Sequence, residues 1–451
     1  MIEGPKNLKF MLLFKRSVTF CVSLLSITLI NAQVANNTTG GQIINTVTTA
    51  VPFLRIDPDA RSQGMGTVGI ATPSDANAIY QNPAKLAFID NDYGFSMSFT
   101  PWLKALVNDI YLASLNGYYK VKNQQTIAVS LRYFSLGSIQ FTDVNGQDLQ
   151  QFRPNEFAID IHYARELSKY FSISASLRYV YSNLASGASV DGILVKPGQA
   201  GAGDIAWFFH RTYNQNAEQK LQHTFSCGMN ISNIGSKMSY TSSLVKDFLP
   251  CNLGVGFGYN LDLDKHSSIG AYLDLNKLLV PSPFGNYDSV NHTYFYREES
   301  SVKGMFTSFG DAPAIQELRY ITTSFGAEYF YNKQFGVRFG YFYEHPTAGG
   351  RQFLTAGLTV KYSIATLHFS YLIPTTIIRS PLDNTICFTL NFDFLKGGKK
   401  TGENNSGVSL VPADETPKKK KKDTPPAPDP NQTPPQQQQP VPAPQDPSAP
   451  K

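Results

Sequence analysis

From about Gly94 to Phe394 the chain repeats one pattern, runs of apolar and polar residues in alternation separated by turn-forming residues. Glu156–Glu166 puts Phe157, Ile159, Ile161 and Tyr163 on one face and Ala158, Asp160, His162 and Ala164 on the other. Leu253, Val255, Phe257 and Tyr259 alternate with Gly254, Gly256, Gly258 and Asn260, and Phe335, Val337, Phe339 and Tyr341 with Gly336, Arg338, Gly340 and Phe342. A repeat of two is that of a β-strand, whose successive side chains leave opposite faces. Fourteen such runs are counted, near 95–100, 109–121, 125–135, 156–166, 171–182, 204–210, 223–231, 252–262, 267–276, 322–332, 334–344, 353–363, 365–373 and 385–394. The chain is all-β.

Alternation alone does not say which face meets which solvent, because a soluble sandwich alternates too. Composition separates the two. Only 16% of residues are charged, against about a quarter in soluble domains, while Phe and Tyr number 31 and 24. Mean hydropathy is still slightly negative at -0.21, and past the N-terminus no apolar run approaches the ~18 residues of a helical span. A transmembrane barrel gives this combination, since only every second strand residue faces lipid. Fourteen strands closed on themselves enclose a lumen that tolerates polar groups, and the polar faces carry Arg132, Asp160, Arg178, Glu328, Arg338 and Lys361. The last run ends on an aromatic, Phe394, after Ile386, Phe388, Leu390 and Phe392, which resembles the insertion signal of outer-membrane barrels. Closure also pairs every strand edge, as hydrocarbon requires.

The two ends differ from this body. Lys9, Lys15 and Arg16 precede an apolar stretch Ser17–Ile30 and the small residue Ala32, the order of a secretory signal peptide over 1–32. Residues 33–92 form an N-terminal segment, 93–395 the barrel, and 396–451 a tail rich in Lys, Pro and Gln that has little to bury. In an even-stranded barrel both termini lie on one side, expected to be periplasmic. Leu278–Ile321, rich in Ser, Pro, Gly and Tyr, is the longest interruption and a candidate external loop.

The net charge of +5 divides into +3 on residues 1–32 and +3 on 396–451, leaving the barrel region at -1. A nucleic-acid partner needs a basic face on the folded part, so none is expected. Gly64-Met65-Gly66-Thr67-Val68-Gly69 matches G-x-G-x-x-G, but no buried strand precedes it and Pro73 interrupts the helix that should follow; tight packing against the barrel wall is the expectation. Seven scattered histidines and three mature cysteines, Cys227, Cys251 and Cys387, give no metal spacing. A Cys227–Cys251 bridge and separate thiols both remain open. No cofactor and no catalytic constellation is expected.

The segment from Phe53 through Asp57, Pro58, Arg61, Gly64 and Gly66 to Asp75, Asn82 and Pro83 resembles the N-terminal signature of the PorV (LptO) family of the type IX secretion system. The resemblance continues in Thr100-Pro101-Trp102-Leu103, Ile231–Lys237, Lys277–Pro281, Ser308–Pro313 and Gly340–Glu344. It departs after Pro313, where Ala314-Ile315-Gln316-Glu317-Leu318 stands in place of glycines and paired acids. The resemblance implies a fourteen-stranded FadL-like transmembrane barrel in outer-membrane lipid, its lumen plugged by the N-terminal segment that holds Asp57, Pro58, Arg61, Gly64, Gly66, Asp75, Asn82 and Pro83. It further implies binding to an SprA-type translocon, capture of secreted proteins by their C-terminal signal domain with loop 278–321 engaged, and delivery to an attachment complex containing PorU, PorQ and PorZ. The competing expectation is a FadL-like transporter of long-chain fatty acids or other hydrophobic compounds.

Overall fold

The structure is a computed structural model that describes residues 46–395 except 103–108, 123, 143–146, 186–188, 191–192, 215–220, 242–245, 284–286, 289–292 and 377–384. The expected signal peptide 1–32 and the tail 396–451 lie outside the described residues.

Fourteen strands close into one antiparallel barrel, each paired with its neighbours in sequence. They are β1 (Tyr93–Pro101), β2 (Ile110–Lys122), β3 (Gln125–Leu136), β4 (Asn155–Ser168), β5 (Phe171–Asn183), β6 (Gly198–Asn214) and β7 (Gln222–Gly235), followed by β8 (Asn252–Asp262), β9 (Ser267–Leu278), β10 (Ile321–Tyr331), β11 (Phe335–Tyr343), β12 (Gln352–Tyr362), β13 (Ala365–Pro374) and β14 (Ile386–Phe394). The wall closes where β14 pairs with β1, from Tyr93 opposite Phe394 to Phe99 opposite Phe388. Each sequence run falls on one strand.

Alternation sorts the faces as lipid outside requires. Along β1, Tyr93, Phe95, Met97 and Phe99 are exposed while Ser96, Ser98 and Thr100 are buried. Leu177, Ile205 and Phe339 are among the outward residues, at 74%, 61% and 67% exposure, a surface that water would penalise by about 25 cal/mol per Å². Stacked rings of Tyr93 on Phe394 and Phe95 on Phe392, 5.1 and 4.8 Å between centroids, cover the closing seam.

The run read at 204–210 is the middle of a longer strand. Its first half, Gly198-Gln199-Ala200-Gly201-Ala202-Gly203, is Gly and Ala apart from Gln199, residues too small to register as one face or the other. The ladder between β6 and β7 shifts register beside Gly203 and Ile205. There Asn233 adopts φ +61° and donates its backbone N–H to Asp204 Oδ1 at 2.7 Å. A bulge of this kind breaks strict alternation, which shortened the apparent run of β7 as well.

Strand connections differ by end. At the end holding the start of β1 and the finish of β14 they span two to seven residues; at the other they span eight to forty-two, the longest being 279–320. That longest connection is not simply irregular: it contains helices Ser301–Thr307 and Ala314–Arg319. The three described cysteines are free. Cys227 is half-buried at an outward position of β7, opposite Phe257 of β8. Cys251 lies six residues before Phe257, roughly 20 Å along a strand at ~3.3 Å per residue, so no bridge forms.

Candidate functional site

Residues 46–92 run through the barrel interior, held by contacts from inward side chains around the wall. Asp59 caps the helix Ala60–Gln63, accepting from the N–H groups of Arg61 and Ser62. That turn places Arg61 against β10: Nη2 donates to Glu328 Oε1 at 2.8 Å, and Nη1 reaches Asp75 Oδ2 at 2.6 Å. Glu328 also receives Arg338 Nε of β11 at 3.0 Å and the Tyr272 hydroxyl of β9 at 2.9 Å. A second cluster on the bare wall joins Arg178 to Asp160 and, at 2.9 Å, to Asp204. Arg61, Glu328, Arg338, Arg178, Asp160 and Asp204 are buried and paired, which is the condition for tolerating a charge away from water, while Asp75 is partly exposed.

Backbone groups of the segment are satisfied by the wall in the same way. Gly69 and Ile70 donate N–H to Asp274 Oδ2 at 2.8 and 3.0 Å, Gly66 donates to Thr355 Oγ1 at 2.8 Å, and Ala60 to Thr389 Oγ1 at 2.9 Å. In return, Thr126, Ser172 and Ser226 donate hydroxyls to the carbonyls of Leu86, Ala84 and Ala71. Irregular backbone thus crosses the barrel with its polar groups occupied. Apolar contacts add to this: Phe53 stacks on Phe134 of β3 at 6.3 Å between ring centroids.

Each residue of the sequence-derived motif has a place in this segment. Asp57 accepts from Gln81 Nε2 at 2.7 Å, and the Pro58 carbonyl from Cys387 Sγ at 3.4 Å. Gly64 faces Gly357, where an added Cβ would sit 3.1 Å from its Cα. Gly66 has φ +70°, and a Cβ there would lie 2.7 Å from the Tyr341 backbone nitrogen. Asn82 bridges the segment to the wall, donating to the carbonyls of Ile70 at 3.1 Å and Trp207 at 3.0 Å. Pro83 opens the buried turn Pro83–Phe88. Two glycines of the G-x-G-x-x-G match, Gly64 and Gly66, therefore serve close backbone approach to the wall, while Gly69 makes room for the Gln81 side chain.

Sequence reading gave no separate role to Arg55, Asp59 and Lys85, which stand within the N-terminal signature, or to Asn77 and Asp274. Lys85 is fully inside, its Nζ donating to the Gly69 carbonyl and, at 2.9 Å, to Thr72 Oγ1; burial lowers its pKa to about 8. A lone buried lysine carries no local pattern, so only the fold reveals it. Among the described residues no group of three His, Cys, Asp or Glu is arranged to hold a metal ion.

The long-loop end carries a second feature. In the helix Ser301–Thr307, Val302 and Phe306 lie four residues apart at 61% and 73% exposure, and Ile315 and Leu318 on Ala314–Arg319 at 61% and 65%. Phe309 between them is exposed as well. Buried Gly304 seats the first helix against Phe248 and Pro281, and Lys277 Nζ anchors the second through Glu317 Oε2 at 2.6 Å. The segment that departs from the family's pattern is thus the second helix.

A closed barrel, apolar outside, filled by its own N-terminal segment and bearing long loops at one end, defines an integral outer-membrane β-barrel protein. The chain belongs to the PorV family: the family description "Type IX secretion system protein PorV" matches residues 39–285. It is an outer-membrane component of type IX secretion. Solved structures similar to it include the Pseudomonas putida toluene transporter TodX, 11% identical, covering 74% of this chain and 98% of that one at TM-score 0.45. The Ralstonia pickettii toluene transporter TbuX is 13% identical, covering 74% and 97% at TM-score 0.39. A Pseudomonas aeruginosa FadL homologue is 9% identical, covering 78% and 99% at TM-score 0.36. No curated protein matches.

Proposed function

We propose that this protein is a non-enzymatic cargo receptor and shuttle. It receives secreted proteins by their C-terminal signal domain as they leave an SprA-type translocon, and delivers them to an attachment complex containing PorU, PorQ and PorZ. The start of β1 and the end of β14, at the short-turn end, face the periplasm, since barrels of this kind keep their short turns there, whereas the described N-terminal segment begins at the loop end, where Ala50 donates its N–H to the Phe248 carbonyl. The long loops then face outward, where cargo emerges.

The observation that carries the reading is the apolar surface of Val302, Phe306, Phe309, Ile315 and Leu318 on the loop helices. Large apolar side chains exposed at the water-facing end of a barrel mark a site for another protein, and the helices that carry four of them are anchored at Gly304 and Glu317. Loop recognition on a rigid wall is the usual division of labour. The transporter reading would need an apolar path through the lumen; instead residues 46–92 fill it, held by the ion pairs of Arg61.

Deleting 301–318 in cells tests the proposal. The barrel should still insert and show heat-modifiable migration, while signal-domain proteins accumulate in the periplasm. Normal surface display by that mutant removes the assignment, and loss of fatty-acid uptake with secretion intact favours transport.

A further inference from the structure

Inside the lumen, between the N-terminal segment and the loops, two arginines meet a single carboxylate. Arg351, in the connection before β12, takes both oxygens of Glu344, Nε to Oε2 at 2.8 Å and Nη2 to Oε1 at 3.0 Å. Arg55 of the N-terminal segment is left with a contact of 3.8 Å to the same carboxylate. Two guanidiniums thus share one acid. Burial and the repulsion of Arg351 outweigh Glu344 and bring the Arg55 pKa down to about 10.

Arg55 lies on the walls of two cavities of about 160 and 30 Å³ that share Asn252, Asn276 and Thr322 as well. The smaller also touches Ser308 and Tyr320 of the long loop, which puts it on the loop side. Three buried polar atoms on the wall of the larger have no hydrogen-bond partner among the described residues: Arg132 Nε, Asn230 Oδ1 and Thr385 Oγ1. Buried polar atoms are rarely left so. Phe342, Phe353 and Leu372 add an apolar patch to the same cavity. Its acid, Asp57, is already engaged by Gln81.

We propose that this cavity is an anion site centred on Arg55 that takes a carboxylate approaching from the loop end. A guanidinium offers paired donors matched to a carboxylate, and the neighbouring carboxamides suit peptide groups. A cavity of about 150 Å³ holds a molecule the size of benzene, so the site admits a small acid or one terminal residue and excludes a long acyl chain. The carboxylate could come from a free small acid or from the end of a secreted chain; the second source rests on the receptor reading above.

The test uses purified full-length protein in mild detergent with three probes, N-acetyl-glycylglycine, its C-terminal amide, and acetate, measured by calorimetry. The expected result is saturable binding of the free acid, at least ten-fold weaker binding of the amide, and at least ten-fold loss in Arg55→Gln, with Arg55→Lys intermediate. Arg351→Gln gives a second route, because it releases Glu344 to neutralise Arg55 and should also weaken binding. Heat-modifiable migration verifies that each variant is folded. Acetate as potent as the peptide assigns the site to free small acids, and a ten-fold preference for the peptide assigns it to a chain end; both uphold it. Equal affinity for acid and amide, no binding of either acid, or undiminished binding by both folded variants overturns it. Surface display of cargo is scored separately, so failure here leaves the secretion role standing.

Discussion

Arg61 and Glu328, 267 residues apart in sequence, meet at 2.8 Å inside the barrel. One belongs to the N-terminal segment and the other to β10, so this pair fastens the filling of the lumen to its wall. Glu328 serves Arg61 and Arg338 together, while Arg61 has Asp75 as a second partner.

The two ends of that pair are therefore unequal. Arg61→Gln leaves Glu328 with Arg338 and Tyr272, whereas Glu328→Gln strips two guanidiniums of their shared acid. Breaking a buried pair costs about 3–5 kcal/mol, and Glu328→Gln should lie at or above the upper end. Both variants should raise single-channel conductance in planar bilayers and expose residues 46–92 to protease, Glu328→Gln more strongly. Unchanged conductance and protection in both would mean that the segment is held without this pair.

Glycine at 66 answers to two demands, a positive φ and the Tyr341 backbone. Gly66→Ala should destabilise the docked segment by more than about 1 kcal/mol, the cost of a left-handed alanine alone. Gly310, with nothing within 4 Å of an added Cβ, is the control, and Gly310→Ala should leave stability unchanged. Thermal unfolding in detergent, followed by protease sensitivity of the segment, distinguishes the two.

Asp59 titrates near neutrality. Burial first, then the charges of Asp75 and Asp57, push its pKa up to about 7 from 3.8. The folded state holds this proton more tightly than the unfolded one, so the contribution of Asp59 to stability falls as pH rises from about 4 to about 7 and is level above that. Asp59→Asn keeps an acceptor for the helix cap and stays neutral. It should flatten the pH dependence of protease resistance across that window; a parallel curve for wild type and variant would contradict the assignment.

On the loop face, Phe306→Ser with Leu318→Ser removes apolar surface that packs little. Exposed substitutions shift stability by only about 0.5 kcal/mol, so barrel stability should hold. Cargo displayed at the cell surface should nevertheless fall at least ten-fold, measured by surface labelling. Full display would move recognition away from these helices.

The strands were legible because each carries its own evidence: Tyr93, Phe95, Met97 and Phe99 alternate with small and polar partners over a few residues. The β6–β7 region was only half legible, since glycines and the Asn233 bulge erase local contrast. The loop helices went unread for a related reason. Seven and six residues are too short to build a helical period, and their seats at Phe248 and Lys277 are distant in the chain.

Sequence by itself determined the alternation, and with it an antiparallel wall with one apolar and one polar face, because side-chain direction in a strand depends only on residue parity. It also determined that the segment around Asp57–Pro83 differs from that wall. Only the tertiary structure decided which charges meet. Arg61 with Glu328, Arg178 with Asp204 and the surplus of Arg55 beside Arg351 depend on barrel closure and on the path of the N-terminal segment through it. Pairing across hundreds of residues leaves no short-range mark, since electrostatic attraction acts through space and not along the chain.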